Sequence, residues 1–133
     1  MRFLLDTNVV SELQKPAPSS KVLTCLTQNF TACAIPSVVM AEMWQGVRSA
    51  PSARRAPLEA TLESFEAHSG DAILAFDGAA ARVWGTYVTS RGFQRQPKGY
   101  ADSQIAAIVL ANDLTVVTRN EADFPGVPTL NPF

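Results

Sequence analysis

Histidine is almost missing from this 133-residue chain, and His68 is the only one. A Ser-His or Cys-His pair therefore has a single candidate base, and His68 lies at the polar side or end of a glutamate-rich segment, where a bystander is expected. Cysteine is scarce as well. Cys25 and Cys33 match no zinc-ligand spacing and imply no disulfide framework, and their apolar surroundings predict reduced, buried thiols. The absence of a GxxxxGKS/T or GxGxxG loop disfavours nucleotide hydrolases and dinucleotide enzymes. No run approaches the roughly 18 apolar residues of a membrane span, and the N-terminus enters a strand-like run at once without a signal-peptide pattern, so a cytoplasmic setting is expected. A strong charge bias is lacking too. The net charge of -1 and pI near 5.7 argue against a wholly basic nucleic-acid binder but leave room for a local basic surface.

What the chain does have is apolar content, 47% of it, enough for the core of one compact domain over residues 1–133. Strand-like runs fall at Arg2–Leu5, Thr31–Ile35, Ala72–Phe76 and Leu114–Thr118, with an edge strand at Val127–Leu130 that tolerates Pro128. Helical patterns alternate with them. Ser19 or Ser20 caps a helix through Val22 and Leu26, and Pro36-Ser37 opens one carrying Val39, Met40, Met43, Trp44 and Val47. A third begins at Pro57 with Leu58, Leu62 and Phe65 on one face and Glu59, Glu63 and Glu66 on the other. Asp77 caps a fourth through Val88, residues 90–99 read as a polar loop, and a nearly all-apolar helix runs from about Asp102 to Ala111. Strands alternating with helices predict a three-layer α/β/α fold with a mostly parallel central sheet. Ligands of such sheets bind beyond the carboxyl ends of the strands.

Asp6, Glu42, Asp102 and Asp123 each stand at or near the edge of one of these segments, so they can meet when the segments pack. Two carboxylates about 4 Å apart repel by roughly 4 kcal/mol at an effective dielectric of 20, so such a cluster persists only where a cation or a shared proton offsets it. Each acid also has an ordinary explanation. Asp6 could be a turn former or cap, and Asp102 could cap its helix. Glu42 is harder to explain away, because its helical neighbours Val38, Val39, Gln45 and Gly46 include no basic partner. A hard divalent cation, Mg²⁺ or Mn²⁺, suits an all-oxygen set and can activate water for attack on a phosphodiester.

Charge distribution points to the substrate. Arg82, Arg91, Arg95 and Lys98 lie between Gly78 and Ala101 with no acid among them, and Arg48, Arg54 and Arg55 form a second such island. Phe93 and Tyr100 offer aromatic surfaces for unstacked bases, and Arg119 sits in the turn before Asp123.

In the order and spacing of four segments, the chain resembles the PIN-domain ribonucleases, and among them the VapC and FitB-like toxins of type II toxin-antitoxin pairs. The segments are Leu4-Leu5-Asp6-Thr7-Asn8-Val9-Val10-Ser11-Glu12, Pro36-Ser37-Val38-Val39-Met40-Ala41-Glu42 with Gly46 beyond, Ala101-Asp102-Ser103-Gln104-Ile105-Ala106-Ala107, and Val117-Thr118-Arg119-Asn120-Glu121-Ala122-Asp123-Phe124. The resemblance implies that Asp6, Glu42 and Asp102 hold Mg²⁺ or Mn²⁺, with Asp123 as the fourth acid and Asn120 a neutral participant. Thr7, Asn8 and Thr118 would add hydroxyl or amide contacts. It further implies an RNA-cutting toxin that inhibits translation, masked by a cognate antitoxin, often homodimeric, and reaching operator DNA only through the antitoxin. Trp44 and Val47 could line a partner groove or pack into the core.

Two other readings compete. Asp6 after the first strand also resembles an aspartyl-phosphate nucleophile, but Asn8 stands where that chemistry usually wants a second aspartate. A non-catalytic RNA-binding module is the other, and the presence of all four acids speaks against it.

Overall fold

Phe3–Leu5 form the middle strand of the sheet (β1), and all three residues are buried. A strand covered on both faces reads as an unbroken apolar run, as Phe-Leu-Leu does. The structure is a computed structural model describing residues 1–133. Cys33–Pro36 (β2), Ile73–Leu74 (β3), Thr115–Val117 (β4) and Thr129–Leu130 (β5) complete a five-stranded sheet in the order β3-β2-β1-β4-β5, every neighbouring pair parallel. Leu5 is in register with Val117, so the next residues, Asp6 and Thr118, leave the sheet side by side.

Thr7–Leu13 (α1) and Ser20–Gln28 (α2) connect β1 to β2, and Ser37–Ser49 (α3) and Ser52–Ser69 (α4) connect β2 to β3. Gly78–Val88 (α5), Arg91–Arg95 (α6) and Tyr100–Ala111 (α7) then carry the chain back across the sheet to β4. Crossovers between parallel strands turn right-handed, so this reversal of direction puts α5 to α7 on the face opposite α1 to α4, giving three layers. The reversal also makes the gap between β1 and β4 the topological switch point, the place where open parallel sheets bind ligands.

A core of 25 buried residues fills both interfaces. Ile105, Ala106, Ala107, Ile108 and Val109 of α7 are all fully buried, as a helix without a polar face requires, and α5 packs along it. Asp113, at φ 53°, turns the chain from α7 toward β4, a conformation Asp and Asn tolerate better than most residues.

Four local expectations are corrected. Asp6 starts a helix, α1, that the sequence reading did not include, and Val9 and Val10 are its fully buried residues. The expected loop at 90–99 contains α6, whose Ser90 hydroxyl accepts from the Phe93 N–H while Phe93 packs on Tyr87 at 5.4 Å between ring centroids. α4 begins at Ser52, which leaves Pro57 inside the helix. β3 keeps only Ile73–Leu74 of the expected Ala72–Phe76.

Candidate active site

Asp6 is the first residue beyond β1 and the N-cap of α1. Its Oδ1 accepts the Thr7 N–H at 2.7 Å, and its Oδ2 accepts the Thr118 hydroxyl at 2.8 Å and the Asn8 side-chain amide at 3.2 Å. Asn8 also reaches across to β4, accepting the Arg119 N–H at 3.1 Å through Oδ1. Thr118 in turn accepts the Asn120 N–H at 3.0 Å. Thr7 donates its hydroxyl to Glu42 Oε1 at 2.9 Å, which ties α3 to the start of α1. One polar network thus joins the ends of β1 and β4 to Glu42.

Burial pushes the Asp6 carboxyl above its ordinary value, and the hydrogen bonds from Thr118 and Thr7 work against that rise, while the charge of Asp123 adds to it. Asp102 is raised further, to about 6. Burial is the main cause, and the charges of Asp6, Asp123 and Glu42 all add to it, with Lys98 opposing. Four acids from four segments therefore share one electrostatic neighbourhood. No cation pairs with any of them, since the two ion pairs of the chain are Lys15–Glu12 and Arg48–Glu59.

Such a set fits a divalent cation by its chemistry: hard oxygen donors, mutually repelling, with no side-chain counter-ion. The side chains do not, however, stand as a closed cage. No three His, Cys, Asp or Glu side chains are grouped closely enough to hold an ion as they lie.

The fold, the polar network at the switch point and the acid cluster coincide with a sequence match to the PIN domain family over residues 3–129. The chain belongs to that family. Plasmid stability protein StbB of Pseudomonas syringae pv. tomato is 30% identical over 138 residues, covering 98% of both proteins. VapC ribonuclease Y4jK of Sinorhizobium fredii is 30% identical over 137 residues, covering 98% of this chain and 97% of that protein. Among solved structures, FitAcB from Neisseria gonorrhoeae superposes with a TM-score of 0.86 at 29% identity, over 98% of this chain and 97% of that one.

Within this PIN domain, Asp102 is the third residue of α7, not its cap, because Tyr100 and Ala101 precede it in the helix. Asp123 ends a short 3-10 turn, Glu121–Asp123, and is half-buried. Asn120 is exposed and enters the network through its backbone N–H. The expected basic residues divide. Arg82, Arg91 and Arg95 are exposed on α5 and α6, Lys98 lies close enough to act on Asp102, and Arg119 is stacked over the Phe133 ring at 3.8 Å. In the second island, Arg48 pairs with Glu59 and Arg55 donates to the Ala50 carbonyl.

Phe93 is corrected from a base-stacking surface to a core residue, 8% exposed. Val47 is likewise core, and half-buried Trp44 packs against it. Cys25 and Cys33 are free thiols but only partly buried, with burial raising the pKa of Cys33. Trp84 and Ser103 were missed: the Trp84 indole N–H donates to the Ser103 hydroxyl at 2.9 Å. A serine one residue after a candidate ligand, inside an otherwise apolar helix, was the available signal.

Proposed function

We propose that this PIN domain is a divalent-metal-dependent endoribonuclease and the toxin of a type II toxin-antitoxin pair, inhibiting translation by cutting cellular RNA. The observation that carries this reading is the convergence of acids beyond β1 and β4, where one polar network joins Asp6, Thr118 and Asn8 and Thr7 ties in Glu42. There the charges of Asp6, Glu42 and Asp123 reach Asp102, and none of the four acids is in an ion pair. Family membership and a relative named as a ribonuclease point the same way.

In this reading Asp6, Glu42 and Asp102 hold Mg²⁺ or Mn²⁺, and Asp123 completes the site. The bound ion supplies Lewis acidity and lowers the pKa of water. The chain's own groups do the positioning. Thr118, Asn8 and the Thr7 N–H fix the Asp6 carboxylate, and Thr7 aims Glu42 at the same space. Arg82, Arg91, Arg95, Lys98 and Arg119 meet the phosphate backbone of the substrate. A cognate antitoxin neutralises the nuclease and links it to operator DNA, the toxin itself being a homodimer in the cytoplasm. No helix is long and apolar enough to cross a membrane.

The test is cleavage of single-stranded RNA with and without Mg²⁺ or Mn²⁺, beside Asp6→Asn and Asp102→Asn. Cutting should need the metal and vanish in both variants while their circular dichroism remains that of the folded wild type. Metal-independent cutting, or full activity in either variant, overturns the proposal.

A further inference from the structure

Building on the ribonuclease reading, we propose that Tyr100 is a stacking platform for an unpaired RNA base next to the scissile phosphate, with Trp84 as its backing. Tyr100 opens α7 two residues before Asp102 and is 69% exposed, a large aromatic ring left in water. Exposed rings usually move freely, but this one is held. It stacks on Trp84 at 5.3 Å between centroids with 30° between the planes. The Trp84 N–H donates to the Ser103 hydroxyl, and that hydroxyl donates to the Tyr100 carbonyl at 2.8 Å. α5 therefore fixes the ring against α7, with one face covered and the rest open to a ligand.

The charge of the segment leading to Tyr100 favours an anionic partner. Residues 78–101 carry four basic side chains and no acid, none of the four is in an ion pair, and the charge of Lys98 reaches Asp102. Position selects the part of that partner. Tyr100 and Asp102 are two residues apart in a helix, so their side chains diverge by roughly 200°. The ring cannot share the phosphate addressed by Asp102, and it meets a neighbouring nucleotide through its base. A base in a duplex has both faces already stacked. The platform thus selects RNA that is single-stranded at this position, with little preference among bases, since each has a π-face.

The experiment measures binding of a short single-stranded RNA in EDTA, where no cutting occurs, using oligonucleotides with one abasic position moved along the strand. For wild type, one position near the cut should weaken binding by about 5- to 150-fold when its base is removed. Tyr100→Ala should bind the intact RNA more weakly by a similar factor and lose the response to that abasic position. Tyr100→Phe should bind and melt as wild type, and Tyr100→Ala should stay folded and melt only slightly lower, by the loss of the Trp84 stack. The inference is overturned if Tyr100→Ala keeps the abasic profile, as it would were Tyr100 the seat of a protein partner, or if Tyr100→Phe fails as fully as Tyr100→Ala. A wild-type chain that neither binds nor cuts RNA removes the ribonuclease reading itself, a different outcome from a cutting enzyme indifferent to residue 100.

Discussion

Thr118 shows how much of the site depends on one hydroxyl. It is fully buried, donates to Asp6 at 2.8 Å and accepts from the Asn120 N–H at 3.0 Å. Thr118→Val keeps the shape and removes these two bonds together with a third, accepted from the Asn8 side-chain amide at 3.3 Å, leaving a buried carboxylate short of a donor. The expected cost is about 1–3 kcal/mol, seen as a lower urea midpoint at unchanged m-value, with the Asp6 carboxyl moving further upward. Thr118→Ser should recover most of the loss. At this scale the acids were readable in the sequence because carboxylates at the ends of apolar runs have few ways to be satisfied. Phe93 was not readable. A single aromatic between Gly92 and Gln94 in a polar stretch looks exposed, and only the packing of Tyr87 over it reveals a core position.

Helix boundaries follow from chemistry that is partly local. Asp77 caps α5 by accepting the Ala80 N–H at 3.0 Å, as expected from an Asp preceding an apolar stripe. α1 is short and ends just before Pro16 and Pro18, but Asp6 followed by Val9, Val10 and Leu13 already has a cap and an i, i+3, i+4, i+7 face. α4 starts directly after a proline, but the proline is Pro51, its N-cap, and not Pro57. Its first turn extends from Ser52 through two arginines, so Pro57 interrupts the backbone ladder of an established helix. Pro57→Ala restores a donor at that point and loses the stiffening of the unfolded chain, for a net gain of about 1–2 kcal/mol. A higher midpoint in thermal melting checks it, and an unchanged or lower one indicates that Pro57 serves α4.

Across the whole molecule the parallel architecture was legible from alternation alone, whereas the strand order was not, since the pairing of β1 with β4 is long-range. The same architecture sets a dependence on pH. Asp102 is raised to about 6 from an ordinary 3.8, so between these values the folded chain holds more protons than the unfolded one, and stability falls as pH rises. Without metal, Asp102→Asn should therefore melt higher than wild type at pH 7.5, with the difference closing toward pH 4. Mn²⁺ should raise the midpoint of wild type at pH 7.5 and do so much less at pH 5, where protons compete for the acids. Melting curves with and without the ion decide both. Finally, Asp6 and Thr118 are separated by 112 positions. A chain still emerging from the ribosome has its first acid exposed long before the residue that secures it, so on the proposed reading the machine translating this protein meets no assembled cutting centre until synthesis is nearly complete.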